Sequence, residues 1–582
     1  MKESRWLLIP MLVAMAAWLP GIDWGLPTRQ TDAALFGQRA PWTGAELLAL
    51  LPAEDPEASR GADVDATPIA SSARPVLLNG SDPDRAVIVR RYRLQSRQPD
   101  EFINFKAIAD MARRGDFDPR LYQYGGLWLY PLAAALKAAS IVGLIQLRPD
   151  MAFYLDHPDA FGRFYVTARL FSVAWGLLGV FAVCWIVRGL TDRRLLAALA
   201  GIGFAMLPIV VNAAHEAKPH LAGTALMLLS AVSATGFVER GRWRDAAFAG
   251  LTSGAAAAMV VSAVLGLIIL PVMAMLRRDA AQRRLLALLL SLVCALTLYA
   301  ATNPFVLYNL AARPELLGSN LGNSTAMYSI GFAGLGRAIT LLDAGGTIAL
   351  LVMAVVGLIG LSFRPRGRTC RSSSDDTADS SVRSATDGGH PTARNASDHA
   401  AILLLSAPSL LVLAQFILLA HGKPTEYVRF ALLPLSWMLV VSVIGLHRML
   451  PQDAWSHLLS ALLVGYIAVL GGLQTAEFVR ERTSSPPDDV APLSKQAAAT
   501  VALAYEPAPW SCPPVDLFRH AIMLLPDRQL PDDPRSAGFD LAIAPGNLAS
   551  QVGATRRLES FNWASNRWII RGWTTSRPGN GP

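Results

Sequence analysis

The side chains able to do chemistry in this chain fall into four short polar clusters, each set among long apolar stretches. The first is Gln98-Pro99-Asp100-Glu101, followed by Asp116 and Asp118. A carboxylate in such a loop can act as general base toward an acceptor hydroxyl or amine; a solvated acidic helix start is the plainer alternative. The second is His215-Glu216-Ala217-Lys218-Pro219-His220, where four ionisable groups occupy six residues between two apolar runs. Ionisable groups so near hydrocarbon are costly and usually have a partner or a task. His215, Glu216 and His220 could ligate a divalent metal, although the helical His-Glu-x-x-His spacing is missing, and a polar turn would also explain them.

The third cluster is Thr302-Asn303-Pro304-Phe305-Val306-Leu307-Tyr308. Asn303 and Tyr308 could bind sugar hydroxyls, or merely mark a helix end closed by proline. The fourth is Lys423-Pro424-Thr425-Glu426-Tyr427-Val428-Arg429. Two cations beside the positive end of a helix make a good phosphate site; anchoring at a membrane interface is the other use of Lys, Tyr and Arg there.

Composition says what positions these clusters. The chain has 582 residues, 52% hydrophobic and 16% charged, with mean hydropathy +0.35. A soluble domain carries about 25% charged residues. The deficit lies in apolar blocks of about 18–25 residues, enough to cross a hydrocarbon layer of about 30 Å. The reading is an all-α polytopic membrane protein of about 11 transmembrane helices, in the bilayer of an inner or plasma membrane. The net charge of +8 requires no nucleic-acid partner, because much of the basic excess sits in short loops. Cys184, Cys294, Cys370 and Cys512 follow neither a metal-site nor a disulfide spacing.

The N-terminal run to Ile22 reads as a retained anchor rather than a cleaved signal. Spans follow at 164–187, 195–214, 219–238, 245–262, 262–276, 283–303, 338–362, 400–420, 427–446 and 456–474. Arginine clusters after Arg188, Arg240, Arg277, Arg364 and His447 predict the cytoplasmic side. All four polar clusters then fall on the opposite, extracytoplasmic side. Leu127–Ile145 would reverse that alternation if it crossed, so it reads as a juxtamembrane or re-entrant outer helix, with a full span as the alternative.

The chain divides into a membrane domain, 1–474, and a small extracytoplasmic C-terminal domain, 475–582, with strand-like runs at Leu541–Ala544 and Trp568–Ile570. The first outer loop is 23–125, with a flexible insertion at Glu54–Asp84. A polar, disordered cytoplasmic loop is expected at 364–399. Helical periodicity over Phe102–Arg114 puts Asp100 and Glu101 at a helix start.

Several short motifs occur in a telling order. Trp24-Gly25-Leu26-Pro27 ends the first span, and Gln98-Pro99-Asp100-Glu101 stands where many relatives have His-Pro-Asp-Glu. Gly115-Asp116-Phe117-Asp118-Pro119 leads to Tyr124-Gly125-Gly126-Leu127, and Arg169-Leu170-Phe171-Ser172 opens a later motif. Asn303-Pro304-Phe305 and Arg429-Phe430-Ala431-Leu432-Leu433-Pro434 complete the series. Together they resemble the GT-C superfamily of polyprenyl-phosphate-dependent glycosyltransferases, family 39 in particular. That branch includes protein O-mannosyltransferases and is similar to the lipid A aminoarabinose transferases.

The resemblance implies a GT-C fold and an inverting transfer from a polyprenyl-phosphate sugar to a protein, lipid or envelope glycan. Asp100, with Glu101, would be the base or acceptor-binding acid, and Glu216 the second acid. Lys423 or Arg429 would steady the leaving phosphate, with His215, Lys218, His220, Asn303 and Tyr308 in the substrate site. A transporter of lipid-linked sugars and a non-catalytic assembly protein are the competing readings. The chain departs from the pattern at Gln98, in place of His, and in having no Lys within 252–264.

Overall fold

Prolines set several of the helix starts: Pro158, Pro208, Pro304 and Pro314 each open one. The first turn has no partner for its N–H groups, so proline costs nothing there and its fixed φ suits entry. The computed structural model describes residues 2–51, 76–325, 328, 331–362, 391–421, 423, 425–450, 452–483, 500–503, 515–525, 541–543, 557–560 and 570–574. Of the expected flexible insertion, Glu54–Asp84, residues up to 75 lie outside that set. So do 363–390 of the polar loop, whose remainder belongs to a helix beginning at Pro391.

Among the described residues, six helices are long and apolar enough to cross a membrane, or up to eight if each of two bent pairs is one span. The six are Pro158–Thr191, His220–Arg240, Ala281–Thr302, His399–Ala420, Tyr427–Met449 and Asp453–Arg480. The expected number was about eleven. The difference comes from segments that are helical but short or broken. Helices Arg5–Trp18, Trp243–Met259 and Val261–Leu276, at three of the expected spans, are each under 18 residues. The stretch 244–276 is two helical pieces, as its length suggested, broken where Val260 is extended.

The bends have local causes. Pro208 forces Leu207 out of the helical region, and the flanking helices meet at 63°. At the second bend, 99°, Thr347 has φ +87° and its hydroxyl accepts from the Leu350 N–H. Asp343 accepts the Ile348 N–H at 2.6 Å across that bend. Close helix crossings use small residues. A Cβ on Gly445 would lie 2.1 Å from the Gly357 carbonyl oxygen, so the Ile348–Leu361 and Leu432–Met449 helices touch backbone to backbone.

A six-stranded mixed sheet sits on the loop side. Its strands are β1 (Val76–Leu77), β2 (Thr500–Leu503), β3 (Ala521–Leu524), β4 (Leu541–Ile543), β5 (Arg557–Ser560) and β6 (Ile570–Thr574). The order is β1-β3-β2-β4-β6-β5. The sheet is therefore not built from the C-terminal region alone, because the first loop supplies its edge strand, antiparallel to β3. Asn79 stitches the two: its Nδ2 donates to the carbonyls of Leu517 and His520, and its Oδ1 accepts from Ile522 N–H. The last long helix runs to Thr483, past the boundary expected at 474. Of the two strand-like runs, Leu541–Ala544 is matched by β4, whereas β6 begins at Ile570, where the second expected run ended.

Candidate functional site

Three loop segments converge on one chain of charges. Gln98–Glu101 includes a short 3-10 turn before the Phe102–Arg114 helix. Glu216–Lys218 lies between the Pro208–Ala214 and His220–Arg240 helices. Arg429 lies in the 3-10 turn Thr425–Ala431, just ahead of the next helix. Asp100 Oδ2 is 3.0 Å from Lys218 Nζ and 3.1 Å from Arg429 Nη1, and Lys218 Nζ is also 3.3 Å from Glu216 Oε2. Lys218 and Glu216 are buried, whereas the Asp100 side chain is 31% exposed. Asp100 is thus the member of the chain most open to a substrate. Burial works against its ionisation, but Lys218 and Arg429 outweigh burial and hold the carboxyl well below its ordinary range.

The neighbouring acid points the other way. Glu101 is fully buried, and four donors converge on it. Arg169 Nε and Nη2 lie 2.9 and 2.7 Å from its two oxygens, Ser96 Oγ donates at 2.5 Å and the Ala217 N–H at 2.7 Å. Arg169 also donates to the carbonyls of Ile22 and Trp24. One ion pair thereby fastens the end of the first apolar helix, the first loop and the second loop to the middle of the Pro158–Thr191 helix. Asn104 repeats the link, donating to Ala217 O while its own oxygen accepts from Trp128 Nε1. Glu101 has no lone-pair direction left for a substrate.

Glu216 is likewise engaged. Its Oε1 accepts from Gln98 Nε2 at 3.0 Å and Asn212 Nδ2 at 2.9 Å. The unusual Gln98 of the first motif therefore has a job here: its amide can donate to Glu216 whatever the pH.

Of the other expected site residues, His220 joins the cluster and four do not. His220 is buried, edge-on to Phe430 at 5.1 Å and to Tyr124 at 6.2 Å. His215 stacks flat on Phe478 at 3.9 Å, its ring nitrogens against the carbonyls of Val211 and Pro20. It packs the site from behind. Asn303 accepts the Gly126 N–H at 2.7 Å and so fixes the start of the Gly126–Ile141 helix rather than a ligand. A side chain on Gly125 or Gly126 would collide with the Ala258 or Thr302 carbonyl at 1.9 Å, which is why this turn carries two glycines. Tyr308 is 60% exposed on the Pro304–Ala312 helix, among none of these groups. Lys423 Nζ lies 5.3 Å over the Tyr427 ring, which also carries Arg429 at 5.5 Å, one layer behind the charge chain.

Among the described residues, no group of three or more His, Cys, Asp or Glu is arranged to hold a metal. The Lys218 ammonium stands between Asp100 and Glu216, 3.0 and 3.3 Å from their oxygens. Beside Arg429 lies a small cleft of about 20 Å³, lined by His220, Thr224, Ser262 and Gln415 as well as by Met227, Val260 and Leu433.

Sequence reasoning placed Arg169 in a motif without giving it a role. The signal was present, since an arginine inside an apolar span nearly always has a partner. It also missed the use of Asp118, which accepts from Tyr122 OH at 2.9 Å and Asn309 Nδ2 at 2.8 Å. The bond from Asn309 ties the first loop to the Pro304–Ala312 helix. Burial and the adjacent Asp118 carboxylate push the Tyr122 phenol up from its ordinary value.

No family model matches the chain, and no curated protein matches it. Among solved structures, it is similar to ArnT from Cupriavidus metallidurans bound to undecaprenyl phosphate. The identity is 14%, covering 84% of this chain and 96% of that one, with TM-score 0.44. It is also similar to the archaeal oligosaccharyltransferase AglB from Archaeoglobus fulgidus, in complex with an inhibitory peptide and a dolichol-phosphate. There the identity is 13%, covering 86% of this chain and 69% of that one, with TM-score 0.36.

Proposed function

We propose that the chain is a membrane glycosyltransferase that moves a sugar from a polyprenyl-phosphate carrier to an extracytoplasmic acceptor, with inversion at the anomeric carbon. The observation that carries this reading is the partly exposed Asp100 carboxylate held 3.0 Å from Lys218 and 3.1 Å from Arg429. Two fixed cations suit a lipid phosphate, and a carboxylate between them suits an acceptor proton.

The roles then divide. The acceptor oxygen or nitrogen attacks the anomeric carbon, the bond from that carbon to the phosphate oxygen breaks, and the acceptor proton passes to Asp100. Charge gathering on the leaving phosphate is met by Lys218 and Arg429, which are already in place. An entering phosphate also draws these cations away from Asp100, so the carboxylate becomes more basic once the donor is bound. Glu216 holds Lys218, and Glu101 with Arg169 holds the loops; neither is assigned a proton.

The test is transfer from labelled polyprenyl-phosphate sugars in membranes containing the full chain. Wild type should transfer, and Asp100→Asn should lose about a hundredfold or more, the range for removing a general base. Undiminished transfer by Asp100→Asn would sink the assignment. Absence of transfer from every donor by wild type would favour the transport or assembly readings. The face is tested separately with a thiol at the exposed Tyr308 position. Labelling of Tyr308→Cys by an impermeant reagent only from the cytoplasm would reverse the orientation.

A further inference from the structure

A second polar cavity, of about 530 Å³, lies at the same end of the Pro158–Thr191 helix as Asp100 but apart from the charge chain. Its walls come from Thr28–Gln30, from Gln146 and Arg148, from the Met151–Asp156 helix and from the first turns at Pro158–Arg163. Arg29, Arg148 and Arg163 line it, together with His157 and the carboxylates of Asp156 and Asp159.

The charges in it are not equally committed. Arg29 is paired with Asp32 at 3.0 Å and stands 3.6 Å from Asp156, which also accepts the Gly44 N–H at 2.8 Å. Neither Arg148 nor Arg163 has a carboxylate partner among the described residues, which leaves two guanidinium groups facing one uncommitted acid, Asp159. Arg148 is also held in place. It lies 4.1 Å over the Phe153 ring, which stacks on His157 at 4.6 Å. Its backbone N–H donates to Tyr154 OH, which donates in turn to Gln146 O. A guanidinium over a ring face uses no N–H in that contact, and its N–H fork matches two oxygens of a phosphate group.

We propose that this cavity is an anion site for a phosphate-type group, gripped by Arg148 and Arg163. It is independent of the transfer reading, since none of its residues belongs to the Asp100 cluster. The bound group is either the phosphomonoester head of a membrane lipid or a free phosphate species, and the test separates the two.

The full chain is placed in nanodiscs of phosphatidylcholine, with or without phosphatidic acid, and titrated with inorganic phosphate. The titration is repeated in Arg429→Gln, so that phosphate taken near Asp100 is subtracted. A saturable site that weakens at least tenfold in Arg148→Gln/Arg163→Gln supports the proposal. Titration in the phosphatidylcholine discs then identifies a free-phosphate site. A site already filled in the phosphatidic acid discs, and open without that lipid, identifies a headgroup site. Asp159→Asn removes the one competing acid without touching a packed residue and should tighten binding severalfold. Absence of saturable phosphate or phosphatidic acid binding in wild type would overturn the assignment. So would binding that neither the arginine pair nor Asp159→Asn alters.

Discussion

Arg169 grips both oxygens of Glu101, at 2.9 and 2.7 Å, one residue away from an acid that faces the site. Two consecutive carboxylates therefore have different physical fates, and substitution should separate them. Removing one partner of a buried ion pair leaves the other charge stranded, at a cost of about 3–5 kcal/mol. Glu101→Ala should lower the thermal midpoint and yield of the purified protein by more than Asp100→Asn does, because Lys218 keeps its pairing with Glu216 in the latter. Loss of transfer in a Glu101→Ala protein that melts like wild type would show that Glu101 does more than hold the loops.

Arg429 and Lys218 should be read out through the donor. A hydrogen bond to a charged group is worth about 1.5–3 kcal/mol, or roughly ten- to a hundredfold in an equilibrium constant. Arg429→Gln should raise the KM for the polyprenyl-phosphate sugar by that order and leave the KM for acceptor nearly unchanged. Arg429→Lys keeps the charge but loses the planar fork, so it should recover only part of the effect. An equal change in both constants would argue that Arg429 acts through the fold.

The pH profile gives an independent check on the same contacts. Lys218 and Arg429 hold the Asp100 carboxyl below its ordinary value in spite of burial. A depressed carboxyl contributes stability that is present above its unfolded value and lost as pH falls through its folded value. The acid limb of kcat/KM, which reports the free enzyme, should therefore lie below about pH 4, the ordinary aspartate range. Arg429→Gln removes one of the two cations and should move that limb upward. A limb that stays put or moves down in this variant would rule out Asp100 as its origin.

How much of this was legible from residues alone depended on the range of the interaction. The apolar blocks and the helical start at Phe102 were readable because they follow local periodicity, and the structure has helices at each expected span. The convergence of Asp100, Lys218 and Arg429 was readable only as a shared side, since loop order says nothing of which side chains touch. Glu101 was indistinguishable from Asp100 in sequence; what separates them is Arg169, 68 residues away. The β1–β3 pairing was hidden for the same reason. A two-residue strand carries no period, and its partner lies more than 400 residues downstream.

That pairing can be tested at Asn79, which makes three buried hydrogen bonds to β3 and the turn before it. Asn79→Ala leaves the Leu517 and His520 carbonyls and the Ile522 N–H without this partner, and each buried group so stranded costs about 1–3 kcal/mol. The expected result is local: the 515–525 segment should open more often while the helices stay folded. Trypsin cleavage after Arg519 should then accelerate by an order of magnitude or more, with the thermal midpoint of the membrane region little changed. Equal cleavage in variant and wild type would mean that strand pairing alone holds the edge, and that Asn79 adds nothing to it.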